Sequence, residues 1–295
     1  MERRGIIVAG GSGSRLDPLT EGVSKHLLPV YNKPMIYYPL TVLMLAGIRD
    51  IRVVCNPCEL AAFERVLGDG EQWGVSLDYA TQPEPRGVAD ALLQAKEFAD
   101  GAPLALILGD NVFYGNELKH ILRRVGRDTT ISTVFAYPVS TPERYGVIDF
   151  DEAGGIRDIV EKPDEPPSRY AVPGLYFYDG TAAEHAESLE PSERGELEIT
   201  ALNRRYLEEG GLQVEVFGRG VAWFDAGTPD ALLQASNFVQ MVERRQGTMI
   251  GSPEEVAFNS GYIDAERLRS LAGAHRSEYR QYLLELVDGR ALYTD

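Results

Sequence analysis

Three glycines and two cations follow the first apolar run of the chain. The segment reads Val8-Ala9-Gly10-Gly11-Ser12-Gly13-Ser14-Arg15-Leu16, and Lys25 stands ten residues beyond Arg15. Glycine has no Cβ, so it permits positive φ and lets backbone N–H groups converge on phosphate oxygens. A cradle of amides flanked by two cations suits a triphosphate. The glycines taken alone fit an ordinary strand-to-helix turn equally well.

The two familiar phosphate-binding motifs are absent from the sequence. A dinucleotide fingerprint requires Gly-x-Gly-x-x-Gly, but counting from Gly11 and Gly13 the third position is Leu16. A P-loop requires Gly-Lys followed by Ser or Thr, and the chain contains no Gly-Lys pair. Arg15 and Lys25 are therefore the candidates for neutralising a bound phosphate chain.

Two aspartates each follow a short apolar run. Asp110 comes after the apolar run 104–108, and Asp225 directly follows a second apolar run, residues 221–224. Open α/β sheets bind their ligands at the carboxyl ends of parallel strands, which places Asp110 at a ligand-binding edge. Either aspartate could instead cap the end of its strand.

A Cys-x-x-Cys sequence, Cys55-Asn56-Pro57-Cys58, lies between a predicted strand and a predicted helix. That is the context of a thioredoxin-like redox pair, which makes it the main rival motif. The strand is however the second of a larger α/β series, the helix is short, and the 4 histidines show no zinc spacing. Both cysteines are therefore interpreted as small apolar residues.

The composition bounds the class of protein. The chain has 295 residues, 44% of them hydrophobic, and its 29 lysines and arginines against 45 aspartates and glutamates give a formal net charge of −16. This charge repels nucleic acid and anionic membranes, so an anionic substrate needs local cations. No apolar run reaches the ~18 residues of a membrane-spanning helix, and two cysteines give no disulfide framework. We expect a globular cytoplasmic protein.

The elements around these residues alternate between strand and helix. Short apolar runs predict strands, and helical stretches that mostly end at a glycine lie between them. The predicted strands are 5–9, 51–55, 75–80, 104–108 and 131–137, and the predicted helices are 34–46, 59–67, 88–99 and 116–125. This alternation predicts a Rossmann-like α/β fold with a mostly parallel central sheet and helices on both faces.

The pattern changes after about residue 140, where strands joined by shorter turns predict a mixed extension of the sheet. These strands are 146–150, 156–160, 172–178, 212–217 and 221–224. Thr228 and Pro229 then supply a helix N-cap and a first-turn proline. We expect residues 1–228 to form the core and residues 229–295 a helical C-terminal segment packed on it, effectively as a single domain.

An ordered set of motifs over essentially the whole chain resembles that of the glucose-1-phosphate thymidylyltransferases, a family of sugar nucleotidyltransferases. Besides the glycine loop, the segments that carry the resemblance are Ser24-Lys25-His26-Leu27-Leu28-Pro29, Leu108-Gly109-Asp110-Asn111, Glu143-Arg144-Tyr145-Gly146, Val160-Glu161-Lys162-Pro163, Gly195-Glu196-Leu197-Glu198-Ile199-Thr200 and Trp223-Phe224-Asp225-Ala226-Gly227.

The resemblance implies a reaction of dTTP with a sugar 1-phosphate, most simply α-D-glucose 1-phosphate, to give a dTDP-sugar and pyrophosphate for deoxysugar biosynthesis. It implies that Arg15 and Lys25 hold the triphosphate and that Lys162 binds the sugar phosphate. Asp110 and Asp225 would coordinate one Mg²⁺. A homotetramer is also implied.

The resemblance further implies a set of contacts to the nucleotide and the sugar. The nucleotide-binding residues are Gly10, Gly11, Ser12, Gly13, Gln82 and Gly87, and the sugar-binding residues are Asn111, Tyr145, Gly146, Glu161 and Val172. A glutamine can pair with both an imide N–H and a carbonyl, which selects a uracil-like base edge. One methyl group is worth only ~1–3 kcal/mol in an apolar pocket, so UTP stays open as a second substrate.

The chain departs from the family pattern at several of these places. The family more often has Gln where Asp90 stands and Gln where His26 stands. In the family's regulatory pocket it departs at Lys119, Ser252 and Asn259. Two alternatives stay open: a nucleotidyltransferase that prefers UTP or another sugar phosphate, and a non-catalytic nucleotide-sugar-binding regulatory subunit on the same fold.

Overall fold

The computed structural model describes residues 1–289. The main feature of this part of the chain is a ten-stranded sheet. The strands of the described chain are β1 (Arg4–Ala9), β2 (Pro29–Val30), β3 (Lys33–Pro34), β4 (Asp50–Cys55), β5 (Ser76–Thr81), β6 (Leu104–Leu108), β7 (Asn111–Gly115), β8 (Ser132–Pro138), β9 (Gly146–Phe150), β10 (Ile156–Glu161), β11 (Tyr170–Ala171), β12 (Leu175–Tyr178), β13 (Leu212–Val216) and β14 (Val221–Asp225).

Helices follow or separate most of these strands. They are α1 (Tyr37–Leu45), α2 (Leu60–Leu67), α3 (Asp90–Gln94), α4 (Lys96–Ala99), α5 (Leu118–Arg127), α6 (Ala182–Glu187), α7 (Ile199–Glu208), α8 (Pro229–Gln246), α9 (Pro253–Asn259), α10 (Ala265–Ala274) and α11 (Glu278–Val287). None of the helices within residues 1–289 is both long and apolar enough to cross a bilayer.

The large sheet combines a parallel half with a mixed extension, as the sequence predicts. Its strand order is β10-β9-β11-β8-β12-β6-β1-β4-β5, and β13 pairs with β8. The pairs β1–β4, β1–β6 and β4–β5 are parallel. Beyond β6 the strands β12, β8, β11, β9 and β10 pair antiparallel, while β13 runs parallel to β8.

Successive residues of the central strands enter two different cores, because side chains alternate between the faces of a sheet. Ile7 and Ile107 belong to the core under α1, α2 and α5, whereas Ile6 and Leu106 belong to the core under α3, α6 and α7. Burial on both faces explains why these strands are continuously apolar in the sequence.

The structure corrects several predicted elements. Residues 221–224 do not extend the large sheet, because β14 pairs antiparallel with β7, a strand that the sequence analysis missed. The predicted strand 172–178 is interrupted at Pro173, where Leu175 N–H donates to the Pro173 carbonyl (2.7 Å) in a tight turn. The predicted helix 88–99 is divided into α3 and α4 at Ala95, and α5 continues through Gly126.

The predicted C-terminal segment 229–295 is described up to residue 289, and this part packs on the core through α8 and α9. Residues 290–295 lie outside the described residues. Thr228 accepts a hydrogen bond from Ala231 N–H (3.3 Å), which confirms the predicted N-cap. Val239 and Val242 pack on Val30 of the β2–β3 hairpin. Lys33 of the same hairpin forms a buried ion pair with Glu243 (2.8 Å).

The carboxyl ends of β1 and β6 lie side by side. In the parallel register Val8 is paired with Leu108, and Gly109 N–H donates to the Val8 carbonyl (2.9 Å). The glycine loop that follows β1 and the aspartate that follows β6 therefore emerge together at one edge of the sheet.

Candidate active site

A cleft of about 500 Å³ opens at this edge. All but Ser12 and Gly13 of the residues predicted for the site line it. The predicted residues in its wall are Gly10, Gly11, Arg15, Lys25, Gln82, Gly87, Asp110, Asn111, Tyr145, Gly146, Glu161, Lys162, Val172 and Asp225. Residues from segments far apart in the chain are therefore brought together in one place.

The glycine loop presents unpaired backbone donors. The N–H groups of Gly11, Ser12 and Gly13 make no hydrogen bond to any residue within 1–289. Gly13 has φ 68° and precedes a single 3₁₀ turn, residues 14–16, and its carbonyl accepts from Thr20 Oγ1 (3.1 Å). Successive free amides in this geometry form a concave site for an anion.

Gln82 lies against this loop with its amide group already engaged. Nε2 donates to the Asp90 carboxylate (2.8 Å) and to the Gly87 carbonyl (3.1 Å). A Cβ on Gly10 would be 2.8 Å from Gln82 Oε1, so Gly10 makes room for this amide. In this conformation the two amide hydrogens are in use, and the amide therefore cannot pair with both an N–H and a carbonyl of a base as the sequence analysis expected.

Gly87 is held by the segment that precedes α7. It has φ 102°, and a Cβ there would come within 2.4 Å of the Leu197 carbonyl oxygen. Leu197 N–H donates to the Arg86 carbonyl (2.7 Å), and Ala89 N–H donates to the Leu197 carbonyl (3.1 Å). Only glycine fits this close approach at a positive φ.

Lys25 and Asp110, which both line the cleft, form an ion pair. Lys25 Nζ donates to Asp110 Oδ2 (2.5 Å), and Asn111 Nδ2 donates to Asp110 Oδ1 (3.0 Å). Burial would raise the pKa of the Asp110 carboxyl, but the Lys25 charge and these hydrogen bonds outweigh it and hold the pKa well below its usual range. Asp110 therefore stays ionised although it is buried.

Asp225 faces Asp110 from the end of β14. Burial and the Asp110 charge raise the pKa of the Asp225 carboxyl, while nearby Arg15 opposes that rise. Asp225 Oδ1 accepts from Gly227 N–H (3.1 Å), and a Cβ on Gly227 would be 2.8 Å from the Arg15 guanidinium. Two carboxylates that repel each other thus share the cleft with two cations.

His26 supplies no charge to this group. Burial, followed by the Lys25 charge, lowers the pKa of the His26 imidazole to about 3, so the ring is neutral near pH 7. Its Nδ1 lies 3.3 Å from Ser24 Oγ. The buried, neutral ring forms part of the cleft lining beside Lys25 and Asp110.

A second group of charged residues also lines the cleft. Glu161 Oε2 accepts from Thr200 Oγ1 (2.5 Å), and Glu161 Oε1 lies 3.4 Å from Lys162 Nζ and 3.5 Å from the Arg194 guanidinium. Arg194 was not among the predicted site residues, although it stands directly before the matched segment 195–200. Lys162 and Arg194 are both about half exposed and so can reach a ligand.

Asn111 is a structural link rather than an open contact. Its Oδ1 accepts from Trp223 Nε1 (2.6 Å) and from Gly174 N–H (3.1 Å), while its Nδ2 holds Asp110. Among the other predicted sugar contacts, Val172 N–H donates to the Gly146 carbonyl (2.8 Å). Tyr145 packs on Trp223 with ring centroids 5.1 Å apart.

The cysteine pair does not form a redox site. Cys55 is fully buried, and burial raises the pKa of its thiol to about 12, whereas Cys58 is exposed. A reactive cysteine needs a depressed pKa and access to solvent. Cys55 therefore fits the interpretation as a small apolar residue, whereas the exposed Cys58 is not part of the apolar core.

A separate cavity of about 200 Å³ lies between α1 and α9. It contains the three positions at which the chain departs from the family's regulatory pocket, Lys119, Ser252 and Asn259. Ser252 caps α9 by accepting from Glu255 N–H (3.3 Å).

Comparison with known proteins gives one family. Residues 4–241 match the family model described as nucleotidyl transferase. A Xanthomonas campestris protein named glucose-1-phosphate thymidylyltransferase is 54% identical over 293 residues, covering 99% of both chains. The Neisseria meningitidis protein of that name is 52% identical over 285 residues, covering 96% of this chain and 99% of the relative.

Two solved structures resemble the fold. A Bacillus anthracis protein, described as a candidate glucose-1-phosphate thymidylyltransferase in complex with sucrose, is 38% identical with a TM-score of 0.73, covering 80% of this chain and 94% of that chain. A UDP-glucose pyrophosphorylase complexed with UDP-glucose is 25% identical with a TM-score of 0.72, covering 82% of this chain and 99% of that chain.

Removing the hydrogen bonds of the Asn111 side chain should destabilise the protein. In Asn111→Leu the buried Trp223 Nε1–H and Gly174 N–H lose their acceptor, which should reduce the free energy of unfolding by about 2–4 kcal/mol. Urea unfolding followed by circular dichroism measures this. The control is Asn237→Leu on the exposed face of α8. Equal stability of the two variants would show that Asn111 does not hold this part of the cleft together.

Proposed function

The chain belongs to the nucleotidyl transferase family and, within it, to the glucose-1-phosphate thymidylyltransferases, and from this membership we propose how its cleft works. The enzyme transfers the thymidylyl group of dTTP to α-D-glucose 1-phosphate and releases pyrophosphate, giving dTDP-glucose for deoxysugar biosynthesis. The observation that carries the proposal is the convergence of Arg15, Lys25, Lys162, Asp110 and Asp225 on one cleft.

The reaction is a direct displacement at phosphorus. An oxygen of the sugar phosphate forms a bond to the α-phosphorus, and the bond from that phosphorus to the oxygen bridging to the β-phosphate breaks. The negative charge leaves with pyrophosphate. Such a transfer needs alignment and charge neutralisation rather than a nucleophilic side chain.

The triphosphate half of the cleft consists of the glycine loop and two cations. The unpaired N–H groups of Gly11, Ser12 and Gly13 suit phosphate oxygens. Arg15 and Lys25 lie beside them and would stabilise the charge that develops on the α-phosphate and on the leaving pyrophosphate. Gly10 and Gly87 leave room for the nucleotide, and Gln82 would read its base.

The sugar phosphate half lies around Glu161. Lys162, together with Arg194, would bind the incoming phosphate, while the Glu161 carboxylate suits sugar hydroxyl groups. Tyr145, Gly146 and Val172 complete the wall. We assign Asn111 to the sugar side as well, acting mainly through the hydrogen bonds that position the wall.

The donor set fits one Mg²⁺, as expected for a family that is generally dependent on a divalent metal. Asp110 and Asp225 would hold it, because both carboxylates line the cleft and the charge of Asp110 already disfavours ionisation of Asp225, which a dication would relieve. No group of three or more potential ligands occurs within residues 1–289, so the other ligands would be phosphate oxygens and water. When bound, Mg²⁺ supplies charge compensation to the phosphates.

UTP is the main alternative nucleotide. Thymine and uracil share the imide edge that Gln82 would read, and one solved neighbour is a UDP-glucose pyrophosphorylase. A non-catalytic regulatory subunit is the weaker alternative, because such a protein would be expected to have lost charged residues of the cleft. We further propose a homotetramer in the cytoplasm as the working form.

A matrix of nucleoside triphosphates against sugar 1-phosphates, with pyrophosphate release as the readout, tests the proposed function. We expect the highest kcat/KM for dTTP with glucose 1-phosphate and lower values for UTP. No pyrophosphate release with any sugar phosphate, from folded protein in the presence of Mg²⁺, would contradict it and would favour a regulatory subunit.

The two aspartates predict a defect in metal-dependent turnover. Asp110→Asn and Asp225→Asn should each lower kcat at saturating Mg²⁺ by about two decades or more, because metal charge compensation is worth several kcal/mol. Circular dichroism should show an intact fold in both variants. Near-normal turnover at saturating Mg²⁺ would remove that residue from the metal site.

The proposed roles of Lys162 and Arg15 predict that each substitution affects the KM of a different substrate. Lys162→Ala should raise the KM for glucose 1-phosphate by about tenfold or more and leave the KM for dTTP nearly unchanged, because one charge-assisted contact is worth about 1.5–3 kcal/mol. Arg15→Ala should instead raise the KM for dTTP and leave the KM for glucose 1-phosphate nearly unchanged. Initial rates with each substrate varied in turn measure both effects. An unchanged KM for glucose 1-phosphate in Lys162→Ala would exclude the role given to it.

A further inference from the structure

Asp90 is a buried carboxylate directly behind the residue assigned to the nucleobase. It is 2% exposed, begins the short helix α3, and lies outside the lining of the cleft. Its Oδ2 accepts from Gln82 Nε2 (2.8 Å) and lies 3.4 Å from Gln94 Nε2. Both neighbours therefore point amide donors at it.

The chemistry of these groups fixes which way the Gln82 amide faces. A carboxylate accepts hydrogen bonds and donates none, so it selects Nε2 rather than Oε1 as its neighbour. The second hydrogen of Nε2 is directed at the Gly87 carbonyl (3.1 Å). With both hydrogens used, Gln82 can offer a ligand only its Oε1, which lies over the backbone of Gly10.

We propose that Asp90 is a positioning residue for nucleobase selection. By holding Gln82 in one orientation, it makes the base-reading group an acceptor only, which requires a ring N–H on the base. Thymine and uracil carry that N–H, whereas the corresponding ring nitrogen of cytosine is an acceptor and would face Oε1 lone pair to lone pair. This inference rests on the proposed function and deepens it.

The base carbonyl next to that N–H has a separate donor available. Within residues 1–289 the Gly87 N–H makes no hydrogen bond. Gln82 Oε1 and Gly87 N–H would together present one acceptor and one donor, the complement of an imide N–H and its neighbouring carbonyl. A purely structural role for Asp90, as an acidic residue in the first turn of α3, would not affect the choice of base.

The experiment compares two substitutions of Asp90 in the full chain. Leu removes the acceptor, and Asn replaces a group that only accepts by one that both accepts and donates, so in either variant only the Gly87 carbonyl still selects Nε2 and the Gln82 amide turns more easily. The kcat/KM values for dTTP and dCTP are measured with saturating glucose 1-phosphate. Where dCTP is not turned over, its competitive inhibition constant against dTTP replaces its kcat/KM.

We expect the preference for dTTP over dCTP to fall about tenfold or more in Asp90→Leu and by a smaller factor in Asp90→Asn, the effect of one misdirected hydrogen bond. The KM for dTTP should rise, while the KM for glucose 1-phosphate stays unchanged. The matched control is Gln94→Leu, which alters the other neighbour of Asp90 and should keep the preference of the wild type.

A preference that stays within about twofold of the wild type in folded Asp90→Leu would overturn the inference. If the leucine variant does not fold, the same criterion applies to Asp90→Asn. A wild-type enzyme that shows no turnover of dTTP would instead contradict the proposed function, so the two failures are distinguishable. Loss of stability with an unchanged base preference would assign Asp90 a structural role only.

Discussion

The cleft must bind two phosphorylated substrates in a chain whose net charge is −16, and its main cations already have carboxylate neighbours. Lys25 is paired with Asp110, and Lys162 lies 3.4 Å from Glu161. Two unit charges 4 Å apart interact by about 4 kcal/mol at an effective dielectric constant of 20. In the roles proposed for Lys25 and Lys162, a phosphate group would compete with a carboxylate for its cation, and this competition would control how tightly each substrate is held.

The architecture places these opposed charges at one edge of the sheet. The parallel pair β1–β6 brings the glycine loop next to Asp110, and the ribbon β7–β14 brings Asp225 to the same point. Asn111 joins the two systems, because its side chain contacts Asp110 and accepts from the Trp223 indole. The carboxylates stay close together because these hydrogen bonds and the surrounding cations offset their repulsion.

Much of the fold and of the candidate site could be predicted from the sequence. The apolar run 104–108 and the glycines after β1 predict a ligand-binding edge, and the motif resemblance gives the residues that line it. The pairing of β14 with β7 could not be predicted from the sequence. β7 is a five-residue strand directly after a tight turn, and no sequence pattern of its own marks it as a separate strand. The orientation of the Gln82 amide depends on Asp90 and Gly87 together, so only the folded contacts reveal that its hydrogens are used.

The most direct test of this competition is the affinity of dTTP measured by calorimetry in the presence of a metal chelator. Asp110→Asn frees Lys25 and removes one negative charge, so we expect about tenfold tighter binding of metal-free dTTP than in the wild type, even though we also expect the variant to turn over poorly. Glu187→Gln, an exposed change of the same charge, serves as the control. Equal or weaker binding by Asp110→Asn would contradict the account.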